Sequence, residues 1–445
     1  MPERQVITAL TGTAAPLLTV DVSIVEELDY ASLFLPRPWK KSAPFVMDVF
    51  KLDPLGQYGL TSLSNQEINF ELPKCASLVD DVILEVNLPA HTITPLGSSV
   101  SYTDWLGLAI WRRMEFRYSA QNVFVIEPQD EYLRIRKTLG TERLDSMRTR
   151  CYGDQTTAQR QVLFTNGTGK NPILAPLYFP FGDDWNMSLP IVDLSQKTRY
   201  SLHLRNLNDV IYNPTAATVV NQGPYEFRLI FSIIHTTGDE TAMFIALAEE
   251  PTGIDYMIHQ HIRQEFQRAV LPGLAGQKIH QELNQVNRPL VYLNWCMIPT
   301  NLINNSGTND FFFFNPNPPL PIPPGMNPYT PILAWKIEAS GQIIQREVRR
   351  TYTTLYNYDR YNKGFSGEDS FDQMYSIYPH CPNAACGFID YANLGNARLE
   401  IELDVGGTGF SVSNPAMPQN VTVIVNAKDY NFWFIKGGNI TRVFN

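Results

Sequence analysis

Charge is scarce in this 445-residue chain, where Asp, Glu, Lys and Arg together make up only 18%. With 44% hydrophobic and 12% aromatic residues, it has the apolar side chains to offset the entropy of ordering, which excludes a disordered or coiled-coil chain. Basic residues are outnumbered, Lys+Arg 35 against Asp+Glu 44, for a formal net charge of −9. The chain as a whole is therefore no electrostatic match for nucleic acid or an anionic bilayer, and direct genome binding is not expected. Cysteine is sparse and odd in number: Cys75, Cys151, Cys296, Cys381 and Cys386. That argues against a disulfide scaffold and for a reducing compartment, with burial as small hydrophobes the expected role. No apolar run approaches the ~18 residues of a membrane span, and Met1-Pro2-Glu3-Arg4 opens without a basic stretch and apolar core. A soluble chain with no secretory signal is expected.

Strand patterns are abundant. In 67–72, Ile68, Phe70 and Leu72 alternate with Glu67, Asn69 and Glu71, the period of a half-buried strand. The same alternation holds in 82–88, 114–118 and 199–205, and in 397–404 it runs without an exception. Residues 225–234 are more continuously apolar, as in a strand buried on both faces, and 422–434 read as a strand pair around Ala427-Lys428-Asp429. The 32 prolines and 27 glycines punctuate these segments, as in a many-stranded antiparallel protein.

Two helices are predicted. Pro128, the acids Asp130 and Glu131, the bases Arg134, Arg136 and Lys137, and Gly140 signal a short connector. Ile254, Ile258, Ile262 and Phe266 recur every four residues and suggest an amphipathic helix over 252–268. A domain boundary is expected near 237–250, which leaves two strand-rich halves of sandwich or jelly-roll proportions. Residues 1–28 hold no strand or helix period and read as an arm that orders against a partner. The run Phe311–Phe314, followed by the proline-rich 315–325, reads as a stiff extended loop packed on a neighbouring subunit or projecting from a sandwich.

Chemistry-bearing motifs are thin. His259 and His261, with Glu265 nearby, would point about 200° apart on the predicted helix and so could not share an ion. His380, Cys381 and Cys386 lack a second pair at finger spacing. Gly406-Gly407-Thr408-Gly409 lacks the Lys-Ser/Thr of a phosphate loop. Asp80-Asp81 and Asp183-Asp184 read as solvated turn acids, and no nucleophile elbow or triad is present. No catalytic, cofactor or metal site is expected. Glycosylation tripeptides stand at Asn166, Asn186, Asn304, Asn420 and Asn439, and without a signal peptide none is taken as used.

Several landmarks, in order, resemble the double jelly-roll major capsid proteins of nucleocytoplasmic large DNA viruses, virophages and polinton-like viruses. Residues 118–127, running into Glu131-Tyr132-Leu133, are similar to a strand, glycine-glycine-glutamine turn and helix of that family, with Ser119 and Ala120 in place of the glycines. Pro176–Phe181 and Ser188–Leu194 resemble its proline-aromatic run and leucine-proline-leucine strand. Thr237–Phe244 lies where the family has an acidic, basic-rich junction, here without the bases. Asn287–Trp295 resembles its asparagine-proline strand before a buried tryptophan, and Ala385–Asn393 its serine-glycine, asparagine-phenylalanine-serine motif. Val425–Gly438, closing on Phe444-Asn445, is similar to its terminal strand, glycine turn and phenylalanine end.

The resemblance covers about 110–445 and implies an all-β fold of two consecutive eight-stranded antiparallel jelly rolls with short connector helices. It implies an arm at 1–28, rolls at 29–240 and 241–445, and a non-enzymatic major capsid protein forming homotrimeric, pseudo-hexagonal capsomers of an icosahedral double-stranded DNA virus. The implied partners are neighbouring capsomers, minor capsid and penton proteins, and an internal membrane reached through the arm; the implied location is the virion shell. The competing reading is a carbohydrate-binding or carbohydrate-active β-sandwich, which needs an aromatic groove and, for hydrolysis, two carboxylates about 5–10 Å apart. Its candidate aromatics are Trp185, Trp295 and Trp433, although the strand-like settings of Trp295 and Trp433 favour core packing.

Overall fold

The computed structural model describes residues 45–442 apart from 57–58, 120, 133–150, 152–155, 183–186, 251–252, 270–276, 287, 301–302, 304–310, 312–331, 350–369, 376–386, 392 and 404–419. The arm at 1–28, the loop beyond Phe311, the Gly406–Gly409 turn, Asp183-Asp184, Trp185, Asn186, Asn304, His380, Cys381 and Cys386 lie outside the described residues.

Sixteen strands carry the architecture. In the N-terminal half they are β1 (Phe45–Leu52), β2 (Glu67–Leu72), β3 (Leu78–Asn87), β4 (Trp111–Tyr118), β5 (Gln121–Ile126), β6 (Ile173–Leu177), β7 (Thr198–Leu204) and β8 (Tyr225–Thr236), with helix α1 (Thr157–Asn166) before β6. Helix α2 (Gly238–Glu249) follows β8. The C-terminal half supplies β9 (Ile254–Ala269), β10 (Gln277–Glu282), β11 (Pro289–Pro299), β12 (Ile332–Ala339), β13 (Gln342–Arg349), β14 (Ser370–Met374), β15 (Arg398–Leu403) and β16 (Asn420–Lys436).

The first eight form two antiparallel sheets ordered β1-β8-β3-β6 and β2-β7-β4-β5, and the second eight repeat the order shifted by eight, β9-β16-β11-β14 and β10-β15-β12-β13. In each half the chain pairs first strand with eighth, second with seventh, third with sixth and fourth with fifth: one long antiparallel hairpin rolled into a two-sheet sandwich. That is a jelly roll, whose closure leaves few pairable edges.

The alternation seen in the sequence sets the register. Tyr200 of β7 stands opposite Phe70 of β2 and Phe116 of β4, and Leu202 stands opposite Ile68 and Met114, so all six side chains enter one core. A slip of one residue would turn every one of them outward. In β8, Tyr225, Phe227, Leu229 and Phe231 are buried, while Glu226, Arg228, Ile230 and Ser232 are half-buried. The second face expected to be buried is thus only partly covered.

Three expectations are corrected. Residues 254–269 are strand β9, not a helix. The four-residue spacing of Ile254, Ile258, Ile262 and Phe266 is a multiple of the strand period as well as near the helical one, and a 16-residue register with β16 decides between them. Residues 422–434 are not a strand pair: β16 runs unbroken through Ala427-Lys428-Asp429, because β9 pairs with it from end to end. The reversal comes at Gly437-Gly438, with φ of 54° and 77°, leading into the returning strand Asn439–Arg442. Finally, Asp80 and Asp81 are not turn acids but lie in β3 at a register shift against β8; Ser188 Oγ donates to Asp80 at 3.2 Å and Asp81 accepts from the Val82 N–H at 2.8 Å.

The helices follow from their caps. The chain turns helical at Pro128, as its signals predict, and is described as far as Tyr132. Helix α2 fills the stretch expected to hold a boundary: the Thr237 N–H donates to Glu240 Oε2 at 3.1 Å, the reciprocal arm of a capping box legible as Thr-x-x-Glu. Ser119 adopts φ 57°, the left-handed conformation glycine takes without strain, at a position where the resembled capsid motif carries glycine. Of the cysteines described, Cys296 is buried and Cys75 and Cys151 are half-buried.

Candidate functional site

The residues singled out for chemistry do not converge. His259 and His261 sit two apart on β9, so on this strand they share a face instead of diverging, and both line a small pocket between the halves together with Asp130, Glu131 and Lys428. Among the described residues no three His, Cys, Asp or Glu are grouped closely enough to hold a metal ion. Trp295 is fully buried and packs edge-on against Trp335 at 6.0 Å, and Trp433 is likewise buried, so neither lines a sugar groove. The sequon residues Asn166, Asn420 and Asn439 are exposed. Among the described residues no helix is long and apolar enough to cross a membrane.

What the fold does bring together is the junction between the sandwiches. Strand β16 is buried on both faces: Val421, Val423, Val425 and Ala427 enter the C-terminal core, while Ile424, Trp433 and Ile435 belong to the N-terminal one. The Trp433 indole lies 5.7 Å from the ring of Phe116 and 6.1 Å from that of Phe124, inside a cluster with Phe179, Phe181 and Tyr200. The N-terminal core therefore takes in side chains of the C-terminal half, while the C-terminal half keeps a second core of its own.

Polar contacts reinforce this seam. The Gly438 carbonyl accepts from the Tyr118 hydroxyl and from the Ser195 N–H, the latter at 2.8 Å. A Cβ on Gly438 would approach Ser195 Cβ to 2.8 Å at a φ that side chains avoid. Gly438→Val is therefore expected to lower stability by about 2–3 kcal/mol, read as a shift in the denaturation midpoint, whereas Gly437→Ala, with open space around it, carries only the turn penalty of about 1 kcal/mol. The Tyr256 hydroxyl donates to the Ser188 carbonyl at 3.2 Å, and burial raises the nearby Asp193 carboxyl to about 7. Arg263 of β9 donates to Glu127 at 2.6 Å and to Gln129 at 2.7 Å across the seam.

Beside Arg263 the seam opens into a cleft of about 760 Å³, walled by Arg112, Arg113, Glu127, Gln129, Arg205 and Asn206 from one half and Arg263, Glu265 and Gln285 from the other. Phe311, Ile303 and Ile424 form its apolar part. Arg205 belongs to the alternating polar face read in 199–205, yet it is only 7% exposed. Its Nη1 donates to the carbonyls of Ala109 at 2.8 Å and Trp111 at 2.5 Å, and the Phe311 ring caps its guanidinium at 3.9 Å. Sequence alternation marked Arg205 as polar; only the second sandwich covers it.

No family model and no curated protein matches the sequence. Solved structures do. The PBCV-1 virus capsid, as a quasi-atomic model, matches at a TM-score of 0.71 with 15% identity over 93% of this chain and 100% of that one. The Faustovirus major capsid protein matches at 0.64 with 11% identity over 98% of each chain. The mavirus major capsid protein matches at 0.51 with 9% identity over 92% of each. The fold is the double jelly roll of these viral capsid proteins. A double jelly roll explains the repeated strand order, and the alignments span both rolls, so the match is to the pair and not to a lone sandwich.

Proposed function

We propose that this chain is the major capsid protein of an icosahedral double-stranded DNA virus. The observation that carries the reading is the tandem repetition of one eight-strand order in two rolls, the first of whose cores takes in side chains of the second. Three such chains present six similar rolls around a threefold axis, a nearly hexagonal tile. The rolls are read as 29–240 and 241–445, with 1–28 an arm reaching minor capsid proteins or an internal membrane. Neighbouring capsomers and penton proteins complete the partners, the location is the virion shell, and the net charge of −9 suits a surface that leaves the genome to other components.

Self-association has a visible candidate surface. Strand β1 is an edge strand among the described residues, and Phe45, Val46, Met47 and Val49 on it are exposed, Val46 by 64%. An apolar edge of this kind is a liability on a monomer and an asset at a subunit contact. Light scattering coupled to size exclusion is expected to give a mass three times the 50.5 kDa of one chain, with hexagonal outlines by negative-stain microscopy. A strictly monomeric protein at high concentration would sink the capsomer reading.

A further inference from the structure

We propose that the cleft between the rolls binds a small molecule through a single oxyanion head, phosphate or carboxylate, seated against Arg205 and Arg112.

Arg205 is the observation that asks for a ligand. A guanidinium this deeply buried normally faces a carboxylate, because an uncompensated charge away from water is costly. Here Nη1 is spent on two main-chain carbonyls, while among the described residues Nε and Nη2 make no hydrogen bond and no carboxylate lies within ion-pair distance of the group. Burial, followed by repulsion from Arg263 and Arg112, pulls its pKa down to about 9. Three guanidiniums thus converge on one space, and they are not equivalent. Arg263 is neutralised by Glu127 and Glu265, whereas Arg112 is exposed, lines the same cleft and has no ion pair among the described residues. Arg112 and the edge of Arg205 not used by main-chain carbonyls line the same cleft, and guanidinium N–H groups are the donors an oxyanion accepts.

The walls limit what the head can be attached to. Glu127, Asp209 and Glu265 also line the cleft and would repel a polyphosphate or a nucleic-acid backbone, so the ligand carries one anionic group. The amides of Gln129, Gln285 and Asn206 and the apolar surface of Phe311, Ile303 and Ile424 suit a compact body with a few polar substituents. The volume lies within the ordinary range for small-molecule sites. Because the walls come from both rolls, occupancy would bind the folded pair and stabilise it by mass action.

The test uses the full-length protein, with inorganic phosphate and acetate titrated separately against chloride at equal ionic strength. Calorimetry and thermal unfolding are the readouts. Saturable binding with a rise in melting temperature is expected, and the two arms distinguish phosphate from carboxylate. Arg112→Gln, at an exposed position with no ion pair to lose, is expected to weaken binding at least tenfold without lowering the melting temperature of the unliganded protein, since it also removes a charge that repels Arg205. Arg205→Lys keeps the charge but loses the forked edge and is expected to weaken binding as well. The proposal fails if neither anion gives a saturable signal above chloride, or if Arg112→Gln leaves the affinity unchanged. Both readouts are independent of assembly, so a failure to form trimers would not be mistaken for a failure of the cleft.

Discussion

Replacing Trp433 by alanine is expected to cost about 3–5 kcal/mol, the range for emptying a large aromatic from a packed core. The residue is 1% exposed and belongs in sequence to the C-terminal roll, yet its ring packs among Phe116 and Phe124 of the other. The loss therefore falls on the joint. Calorimetry of the unaltered protein is expected to show one cooperative transition, and Trp433→Ala two, as the rolls uncouple. Trp433→Phe should be far milder, about 1–2 kcal/mol, because the indole N–H has no acceptor among the described residues and its removal relieves a buried unsatisfied donor. If Trp433→Ala melts as a single transition at the original temperature, the shared core does not couple the rolls.

A second large effect is expected at the fully buried Asp429 of β16, whose Oδ2 accepts from Arg288 at 3.1 Å. Burial raises this carboxyl to about 6, against the lowering influence of Arg288. An acid whose pKa is higher folded than unfolded holds more protons in the native state between the two values, so stability falls as pH rises through that window, here from about 4 to about 6. Arg288→Met strands the charge and is expected to cost about 3–5 kcal/mol at pH 8. At pH 5 the carboxyl is already largely protonated and the cost should shrink severalfold. Adding Asp429→Asn should recover most of the loss at pH 8. Chemical denaturation of the single and double variants at the two pH values measures this directly, and a penalty independent of pH would show that Arg288 acts through packing alone.

Strands with one wet face, such as β2 and β15, announce themselves because pleating sends alternate side chains to opposite environments. Strand β9 imitates a helix because its four-residue apolar spacing fits both periods, and its middle adds to the ambiguity, with Ile258 and His259 adjacent yet both buried; β16 hides its continuity because Asn426, Asp429 and Asn431 are buried polar residues in the middle of a sheet. In β16 such a pattern has no obvious core face. The cleft leaves no mark in any one segment. Arg112, Arg205 and Arg263 are far apart in sequence, and each looks like an ordinary solvated charge until the second roll is laid over the first.

The chain by itself determined that it folds as two strand-rich halves, since scarce charge, abundant aromatics and period-two alternation can be satisfied only by burying one face of each strand. Its likeness to capsid proteins was also legible, because turn glycines, prolines and terminal aromatics are local requirements written residue by residue. What only the tertiary structure decided is how the halves meet: that Trp433 crosses into the other core, that Gly438 closes onto Tyr118 and Ser195, and that Arg205 ends up buried beside an open cleft. Burial by a distant surface leaves no periodic trace in the segment it covers. The scarcity of charge therefore matters most where a few arginines are gathered at one seam.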